Sequence, residues 1–324
     1  IRYESKGRAL IIAPWNYPFL LSLSPLIGAI AAGCPAIIKP SEYSGHTSTL
    51  IAKIIKEVFD SSEVDVILGG VESSQALLEL PFDHIYFTGS TAVGKIVMRA
   101  AAEHLSSITL ELGGKSPVVV ASKAYLPKAA KRIAFTKFFN NGQICVAPDY
   151  VLVDSNKKKE FLTMLKDEVV QLFGESGKSE DYTRIINKKH FDRLKTLFQR
   201  SIEEGAELII GGDFNEEELH ISPTILFVKK DDNPIMEQEI FGPILPVFTY
   251  QDLDEAVTFI NKRDRSLAAY IYTSSKSEEQ YFLTNTRSGG GAINNGLVQL
   301  ANYNLPFGGS GNSGFGRGRG SESF

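Results

Sequence analysis

The sequence predicts an α/β protein with two parallel-sheet units, and three observations lead to that class. Short apolar runs alternate with amphipathic helical patterns, the order expected when helices cover both faces of a parallel sheet. The 324 residues exceed one average domain. Hydrophobic residues make up 43% and charged residues 22% of the chain, which is ordinary for a soluble globular protein.

The first unit is predicted to alternate four strands with helices. Residues Ser44–Val58 carry apolar side chains on one helical face, and Ser90 precedes a second helix, Thr91–His104, as an N-cap. The apolar stretch Phe19–Ile38 predicts a buried helix and then a strand, because prolines and glycines interrupt it too often for a membrane span. The predicted strands are Leu10–Ala13, Ala36–Lys39, Val64–Leu68 and His84–Phe87.

A second unit is predicted to begin near residue 113, where the same alternation resumes. Leu126–Phe139 is a predicted helix, and apolar spacing from Phe161 to Leu172 indicates another. The glycine-rich tail Gly308–Gly320 is expected to be irregular. The predicted strands are Ser116–Ala121, Tyr150–Val153, Leu208–Ile210, Leu245–Thr249 and Ala268–Thr273.

Charge and composition exclude several function classes. A net charge of −4 gives no basic surface for nucleic acid, and the arginine–glycine tract at 317–320 is a single short copy. Two cysteines, Cys34 and Cys145, are too few for a disulfide framework and indicate a reducing compartment. The five histidines show no metal-binding spacing. We therefore expect no metal, no nucleic-acid partner, no membrane segment and a cytoplasmic location.

Cys145 is the candidate nucleophile. It follows Asn140-Asn141-Gly142-Gln143-Ile144 between a predicted helix and strand, and the glycine allows the backbone to bring an N–H close to a substrate. A reactive cysteine needs such an approachable loop and a place for the developing oxyanion. The alternative is a buried structural thiol, which is the interpretation kept for Cys34.

A glycine pattern marks a candidate phosphate site. Gly89-Ser90-Thr91-Ala92-Val93-Gly94 lies between a predicted strand and a predicted helix, where backbone N–H groups and the helix dipole favour an anion. The pattern lacks the G-x-G-x-x-G spacing. With Lys95 it nearly matches the P-loop of nucleotide hydrolases, but Ile96 stands where that motif needs serine or threonine for Mg²⁺. A P-loop hydrolase is therefore the weaker alternative.

Seven motifs are spread over nearly the whole chain. They are Pro14-Trp15-Asn16-Tyr17-Pro18, Lys39-Pro40-Ser41-Glu42, Phe87-Thr88-Gly89-Ser90, Glu111-Leu112-Gly113-Gly114-Lys115, Asn141-Gly142-Gln143-Ile144-Cys145, Glu239-Ile240-Phe241-Gly242-Pro243 and Leu305-Pro306-Phe307-Gly308-Gly309. In this order they resemble the aldehyde dehydrogenase superfamily. Cys145-Val146-Ala147-Pro148-Asp149-Tyr150 further resembles the class 3-like branch, which acts on fatty and aromatic aldehydes.

The resemblance implies a Rossmann-like parallel-sheet cofactor domain plus a second α/β catalytic domain. Residues 1–113 would form the NAD(P)-binding domain, in partial form because relatives carry a further N-terminal segment, and residues 114–302 the catalytic domain. Residues 303–324 would form a C-terminal glycine-rich segment near the active site or an oligomer interface. Within it Arg317-Gly318-Arg319-Gly320 departs from the family, which usually carries aromatic and histidine residues there. The assembly implied is a homodimer.

The resemblance also implies a role for each matching residue. Cys145 would attack the aldehyde, Asn16 and the Cys145 backbone N–H would hold the oxyanion, and Glu111 would activate water. The implied coenzyme contacts are Lys39 and Glu42 at the adenosine ribose, Gly89 and Ser90 at the pyrophosphate, and Glu239 and Phe241 at the nicotinamide ribose. NAD is the expected coenzyme, because the Glu42 carboxylate repels a 2′-phosphate, and NADP stays an alternative.

The expected reaction is NAD(P)-dependent oxidation of a hydrophobic, fatty or aromatic aldehyde to its carboxylic acid. Tyr17, Leu20 and Phe307 would line an apolar entrance. One rival passes the acyl group to coenzyme A or phosphate, and Glu111 argues against it because that chemistry needs no strong water-activating base. A second rival is a catalytically silent structural homologue.

Overall fold

The computed structural model describes residues 4–174, 176–177, 179 and 181–320, which form two compact units. The first unit combines the residues up to Gly113 with those from Asn302 onward, and the second runs from Gly114 to Ala301. Each unit has its own mainly parallel sheet with helices, so the predicted α/β class is confirmed. The roles of these units as coenzyme-binding and catalytic domains stay predictions.

The first unit opens with five strands that alternate with helices. In chain order the elements are β1 (Ala9–Ile12), α1 (Pro18–Ala31), β2 (Ala36–Lys39), α2 (Gly45–Val58), β3 (Val64–Val66), α3 (Val71–Leu78), β4 (His84–Thr88), α4 (Thr91–Glu103) and β5 (Ser107–Glu111). All of β1 is buried, because Leu10 and Ile12 pack with α3 and α4 while Ala9 and Ile11 pack with α1 and α2. A parallel strand covered on both faces requires such a continuous apolar run.

Helix α1 is less buried than its sequence predicts. Leu26 packs into the core, whereas Phe19 is 47% exposed and Ile27 is 68% exposed. The expectation of a buried helix is therefore wrong for one of its faces. No helix in the described part of the chain combines the length and the apolar character needed to cross a membrane.

The second unit carries a seven-stranded sheet. Its elements are β6 (Pro117–Val120), α5 (Leu126–Phe138), β7 (Tyr150–Asp154), α6 (Lys158–Phe173), α7 (Lys188–Glu203), β8 (Glu207–Ile210), β9 (Phe214–Asn215), β10 (His220–Ile221), β11 (Thr224–Phe227), β12 (Ile244–Tyr250), α8 (Leu253–Asn261), β13 (Ser266–Tyr272), α9 (Lys276–Asn285), β14 (Ser288–Ile293) and α10 (Val298–Ala301). The sheet order is β14-β13-β6-β7-β12-β11-β8, with β8 antiparallel to β11 and the other pairs parallel. One face is covered by α7 and α8 through Phe191, Leu194 and Ala256.

The glycine-rich tail returns to the first sheet. Gly314–Phe315 forms β15, which pairs antiparallel with β5 so that Gly314 lies opposite Glu111. The prediction of an irregular tail is wrong at this point, because backbone N–H and C=O groups form a ladder that needs no apolar side-chain pattern. The complete sheet order is β15-β5-β4-β1-β2-β3.

Candidate active site

The carboxyl ends of four neighbouring strands bring the candidate residues of the first unit to one edge of its sheet. β1 leads into the loop that holds Asn16, and β2 ends at Lys39. β4 is followed by Gly89 and Ser90, and β5 ends at Glu111. Open parallel sheets bind their ligands at this edge. The topology therefore gathers a set of residues that are far apart in sequence.

Glu111 is buried, with 4% of its surface exposed. Neither of its carboxylate oxygens has a hydrogen-bond partner among the described residues. Burial raises the pKa of Glu111 to about 8, and the positive charge of Arg319 acts against this shift. A carboxyl group whose pKa lies near the working pH is suited to take up a proton as a general base.

The start of α4 has the geometry of an anion site. Ser90 is exposed, and its Oγ accepts a hydrogen bond from the Val93 N–H at 3.4 Å, which confirms the predicted N-cap. A Cβ at Gly89 would lie 2.5 Å from the Phe87 ring, so a larger residue would displace that ring. The helix N-terminus and the adjacent glycine together fit a pyrophosphate group.

Lys39 and Glu42 form an ion pair. Lys39 Nζ lies 3.4 Å from Glu42 Oε2, and the two side chains are 3% and 35% exposed. Lys39 Nζ also donates to the Pro40 carbonyl at 3.0 Å. The Ser41 hydroxyl accepts a hydrogen bond from the Tyr43 N–H and so begins the short 3₁₀ turn that carries Glu42. The pair offers a donor and an acceptor side by side, which is what ribose hydroxyl groups require.

Cys145 stands on the loop between α5 and β7, where its neighbours are buried. Every other residue from Asn141 to Tyr150 is buried, whereas Cys145 is partly exposed. The side-chain amides of Asn141 and Gln143 anchor the loop by hydrogen bonds to backbone groups of residues 183–186. The loop is thus anchored by hydrogen bonds, and Cys145 is its partly exposed residue.

A left-handed turn connects α5 to this loop. Asn140, Asn141 and Gly142 have φ angles of 49°, 58° and 70°. A Cβ at Gly142 would lie 2.4 Å from the Gly242 carbonyl oxygen. Glycine is therefore required for the close approach between the loop of Cys145 and the loop that contains Glu239.

Tyr270, on β13, holds the other side of the Cys145 loop. Its buried hydroxyl donates to the Val146 carbonyl at 2.7 Å and accepts a hydrogen bond from Gln299 Nε2 at 2.8 Å. Burial raises the pKa of Tyr270, so the hydroxyl keeps its proton and remains a donor. Sequence analysis does not find this residue, because β13 lies far from Cys145 along the chain.

Glu239 and Phe241 lie on the loop before β12. Burial raises the pKa of Glu239 to about 8, the charge of Asp149 adds to the rise, and a hydrogen bond from the Gly114 N–H opposes it. Phe241 has a φ angle of 48°, a conformation that a bulky residue rarely adopts. The loop therefore depends on surrounding contacts to keep its shape.

Two buried lysines in the second unit are also missed by sequence analysis. Lys115 forms a buried ion pair with Asp149 and donates hydrogen bonds to the Ile235 and Gln238 carbonyls. Lys137, on α5, is 1% exposed, and burial lowers its pKa to about 8. Lys115 and Asp149 both stand inside the motifs, but no sequence signal shows that they pair.

The nine predicted site residues divide between the two units. The first unit holds Asn16, Lys39, Glu42, Gly89, Ser90 and Glu111, and the second holds Cys145, Glu239 and Phe241. Within the residues that the structure describes, no group of three or more His, Cys, Asp or Glu side chains could hold a metal ion. The predicted residues therefore comprise carboxyl groups and a helix start in the first unit, and a thiol and a further carboxyl group in the second.

Known proteins are similar to this chain in sequence and in fold. The Staphylococcus aureus protein named 4,4'-diaponeurosporen-aldehyde dehydrogenase is 48% identical over the whole chain, which covers 70% of that relative. The rat protein named "Aldehyde dehydrogenase, dimeric NADP-preferring" is 44% identical over the whole chain, which covers 71% of it. The identities show close kinship with the class 3-like branch.

Solved structures agree with this kinship. The "Substrate bound state of Staphylococcus Aureus AldH" superposes with a TM-score of 0.96 at 48% identity and covers 99% of this chain and 70% of that one. A Mycobacterium tuberculosis aldehyde dehydrogenase complexed with NAD+ superposes with a TM-score of 0.91 at 31% identity. The match covers 99% of this chain and 67% of that one. The profile of the Aldehyde dehydrogenase family, whose members use NAD or NADP, matches residues 1–324. The chain therefore belongs to the aldehyde dehydrogenase family.

Proposed function

We propose that this enzyme oxidises a hydrophobic, fatty or aromatic aldehyde to its carboxylic acid through a thioester on Cys145. The observation that carries the proposal is the partial exposure of residue Cys145 on an otherwise buried loop. A merely structural cysteine would be buried with its neighbours. The carboxyl group of Glu111, buried and without a hydrogen-bond partner among the described residues, supplies the second chemical group.

The first half of the reaction forms the thioester. The Cys145 thiolate attacks the carbonyl carbon, and the new oxyanion accepts hydrogen bonds from the Asn16 side-chain amide and the Cys145 backbone N–H. Loss of one such donor costs about 2.7–4 kcal/mol of transition-state stabilisation. The coenzyme, when bound, supplies the hydride acceptor that this oxidation requires.

The second half releases the acid. Glu111 removes a proton from water, the resulting hydroxide attacks the thioester carbon, and the carbon–sulfur bond breaks to restore the Cys145 thiolate. The raised pKa of Glu111 supports this role, because a stronger base takes a proton from water more readily. An enzyme that passed its acyl group to coenzyme A or phosphate would not need such a base.

The residues that would hold the coenzyme fit its polar groups. The start of α4, with Gly89 and Ser90, would bind the pyrophosphate, and Lys39 with Glu42 would bind the adenosine ribose. Glu239 and Phe241 would contact the nicotinamide ribose. The Glu42 carboxylate favours NAD because it repels a 2′-phosphate. Its ion pair with Lys39 weakens that repulsion, so NADP is the alternative coenzyme.

Exposed apolar side chains support a hydrophobic substrate. In the first unit Phe19 and Leu20 are 47% and 39% exposed directly after the loop of Asn16. In the second unit Phe135 and Phe139 are 44% and 45% exposed, with ring centroids 5.4 Å apart, directly before the loop of Cys145. The S. aureus relative is named for a 4,4'-diaponeurosporen-aldehyde.

The assembly and the location are proposed from two further observations. A homodimer is proposed because the rat relative is named dimeric. A cytoplasmic location is proposed because neither cysteine forms a disulfide bond within the described residues.

The proposal is tested by two variants and one control variant of the purified enzyme, with a medium-chain or aromatic aldehyde as substrate. Cys145→Ala should abolish reduction of NAD, whereas Cys34→Ala, at a buried thiol of the first unit, should keep it. Glu111→Gln should give one burst of NADH per active site and then stall at the acyl-enzyme. Turnover in Cys145→Ala contradicts the proposed nucleophile, and unchanged steady turnover in Glu111→Gln contradicts the proposed base. Turnover that requires coenzyme A or phosphate contradicts hydrolysis.

A further inference from the structure

Arg193 binds the main chain of the loop that carries Glu239. It projects from α7, and its two terminal guanidinium nitrogens donate hydrogen bonds to the Glu239 carbonyl at 3.3 Å and the Ile240 carbonyl at 2.6 Å. The side chain is partly buried, and this burial lowers the pKa of Arg193. Partial burial costs this cation some of its hydration, and the two carbonyl groups together with the charges of Glu239 and Asp149 offset that cost.

Two further side chains hold the same loop. Asp149 accepts a hydrogen bond from the Ile240 N–H at 2.8 Å, and it is itself paired with Lys115. Lys115 donates in addition to the Gln238 carbonyl at 2.9 Å. Side chains from three separated parts of the chain thus converge on the main chain of a few consecutive residues.

The loop needs this support because its backbone is strained. Phe241, directly after Ile240, has a φ angle of 48°. Such a conformation costs about 1–3 kcal/mol for a residue other than glycine and persists when surrounding contacts enforce it. The guanidinium is suited to the task, since its planar fork binds two acceptors at once.

We propose that Arg193 is a positioning residue for the coenzyme, which holds the Glu239–Ile240 main chain so that Glu239 and Phe241 are presented in one geometry. The inference rests on the proposed function in one respect, namely that Glu239 binds the nicotinamide ribose. Arg193 itself touches neither coenzyme nor substrate in this role.

The test compares NADH affinity in variants of the whole chain, by fluorescence titration. In Arg193→Ala the Kd should rise about tenfold, which corresponds to about 1.4 kcal/mol, while the KM for aldehyde stays unchanged. Arg193→Lys keeps the positive charge but loses the planar guanidinium that binds two acceptors, so the Kd for NADH should rise about threefold. Added guanidinium at low millimolar concentration should restore binding to Arg193→Ala.

Arg200→Ala is the matched control. Arg200 lies on the same helix, and its guanidinium pairs with the exposed Glu237 side chain at 2.7 and 3.0 Å rather than with the loop main chain. Its loss should leave the NADH Kd unchanged. If folded Arg193→Lys and Arg200→Ala bind NADH equally well, the inference is overturned, even where Arg193→Ala fails to fold.

Glu239→Gln separates this inference from the proposed function. Normal NADH affinity in Glu239→Gln would overturn the assigned contact of Glu239, and the inference with it. Weakened affinity in Glu239→Gln beside normal affinity in both Arg193 variants would overturn the positioning role alone. Weakening in both, with little further loss in the double variant, supports Arg193 acting through Glu239.

Discussion

Glu111 and Glu239 show how burial changes a residue whose type suggests an exposed charge. Burial raises the pKa of each to about 8. They differ in their partners, because Glu239 accepts a hydrogen bond from the Gly114 N–H, whereas the Glu111 carboxylate has no hydrogen-bond partner among the described residues. A carboxyl group without hydrogen-bond partners in the interior favours its protonated form.

Glu111→Gln should stabilise the fold, and the gain should grow as the pH rises from 5 to 8. The folded state keeps the Glu111 proton up to about pH 8, whereas the ordinary value is 4.5. The folded state therefore binds more protons than the unfolded chain in this range, so its free energy of unfolding falls as pH rises. At pH 7 the free energy of unfolding of Glu111→Gln should exceed that of the wild type by about 3 kcal/mol, since each unit of pKa difference corresponds to about 1.4 kcal/mol.

Thermal unfolding at pH 5 and pH 8 measures this effect. Glu103→Gln, at an exposed position on α4, is the control and should show the same small difference at both pH values. A gain in Glu111→Gln that does not depend on pH would show that the wild-type carboxyl group is already ionised at pH 5.

At the scale of elements, the loop of Cys145 takes its shape from contacts made by other parts of the second unit. Gly142 packs against the Gly242 carbonyl before the cysteine, and Tyr270 binds the Val146 carbonyl after it. Contacts on both sides limit the freedom of the thiol. Such pre-organisation matters because a nucleophile that is misplaced reacts more slowly, even when its chemical groups are all present.

Tyr270→Phe should loosen this loop. The substitution keeps the buried ring but removes the hydroxyl that joins the Val146 carbonyl to Gln299 Nε2. The free energy of unfolding should fall by about 1–2 kcal/mol, and kcat/KM should fall more than this change in stability explains. Tyr281→Phe is the control, since that hydroxyl donates to Asp254 on the surface. Equal kinetics in both variants would contradict a role for Tyr270 in positioning the thiol.

At the scale of the whole molecule, the chain returns to its first unit after building the second. Residues from Asn302 onward group with the first unit, where Gly314–Phe315 pairs with β5. The Leu112 N–H donates to the Ser313 carbonyl at 3.1 Å, and Ser313 is fully buried. The edge of β5, which ends at Glu111, is therefore covered by residues from the far end of the sequence.

Truncation after Ala301 should destabilise the first unit. It removes β15 and leaves the β5 edge without its ladder, whose hydrogen bonds contribute about 1 kcal/mol each. We expect Tm to fall by about 5 °C or more, together with loss of NAD reduction. Truncation after Gly320, which keeps β15, is the reference for both quantities. A Tm that is equal in the two truncated chains would contradict the structural role of the tail.

Sequence patterns determine much of the element order in both units. The strands β1, β2 and β4 and the helices α2 and α4 follow from apolar runs and periodicity, which are local properties of the chain. Helix α7 also carried a signal, since Phe191, Leu194 and Leu197 repeat on one face and are buried, but sequence analysis does not assign it. Strand β14 had no such signal, because Ser288–Ile293 contains three glycines at a sheet edge.

The sequence by itself determined the family, the α/β class and the residue types at the site, because motifs and periodicity are written in consecutive residues. Tertiary structure alone decided which groups became neighbours: Lys115 with Asp149, Arg193 with the Glu239 carbonyl, and the tail with β5. Tertiary structure also decides which side chains are buried, and therefore the pKa of Glu111. The reason is physical, since desolvation and long-range hydrogen bonds depend on distances that the order of residues does not specify.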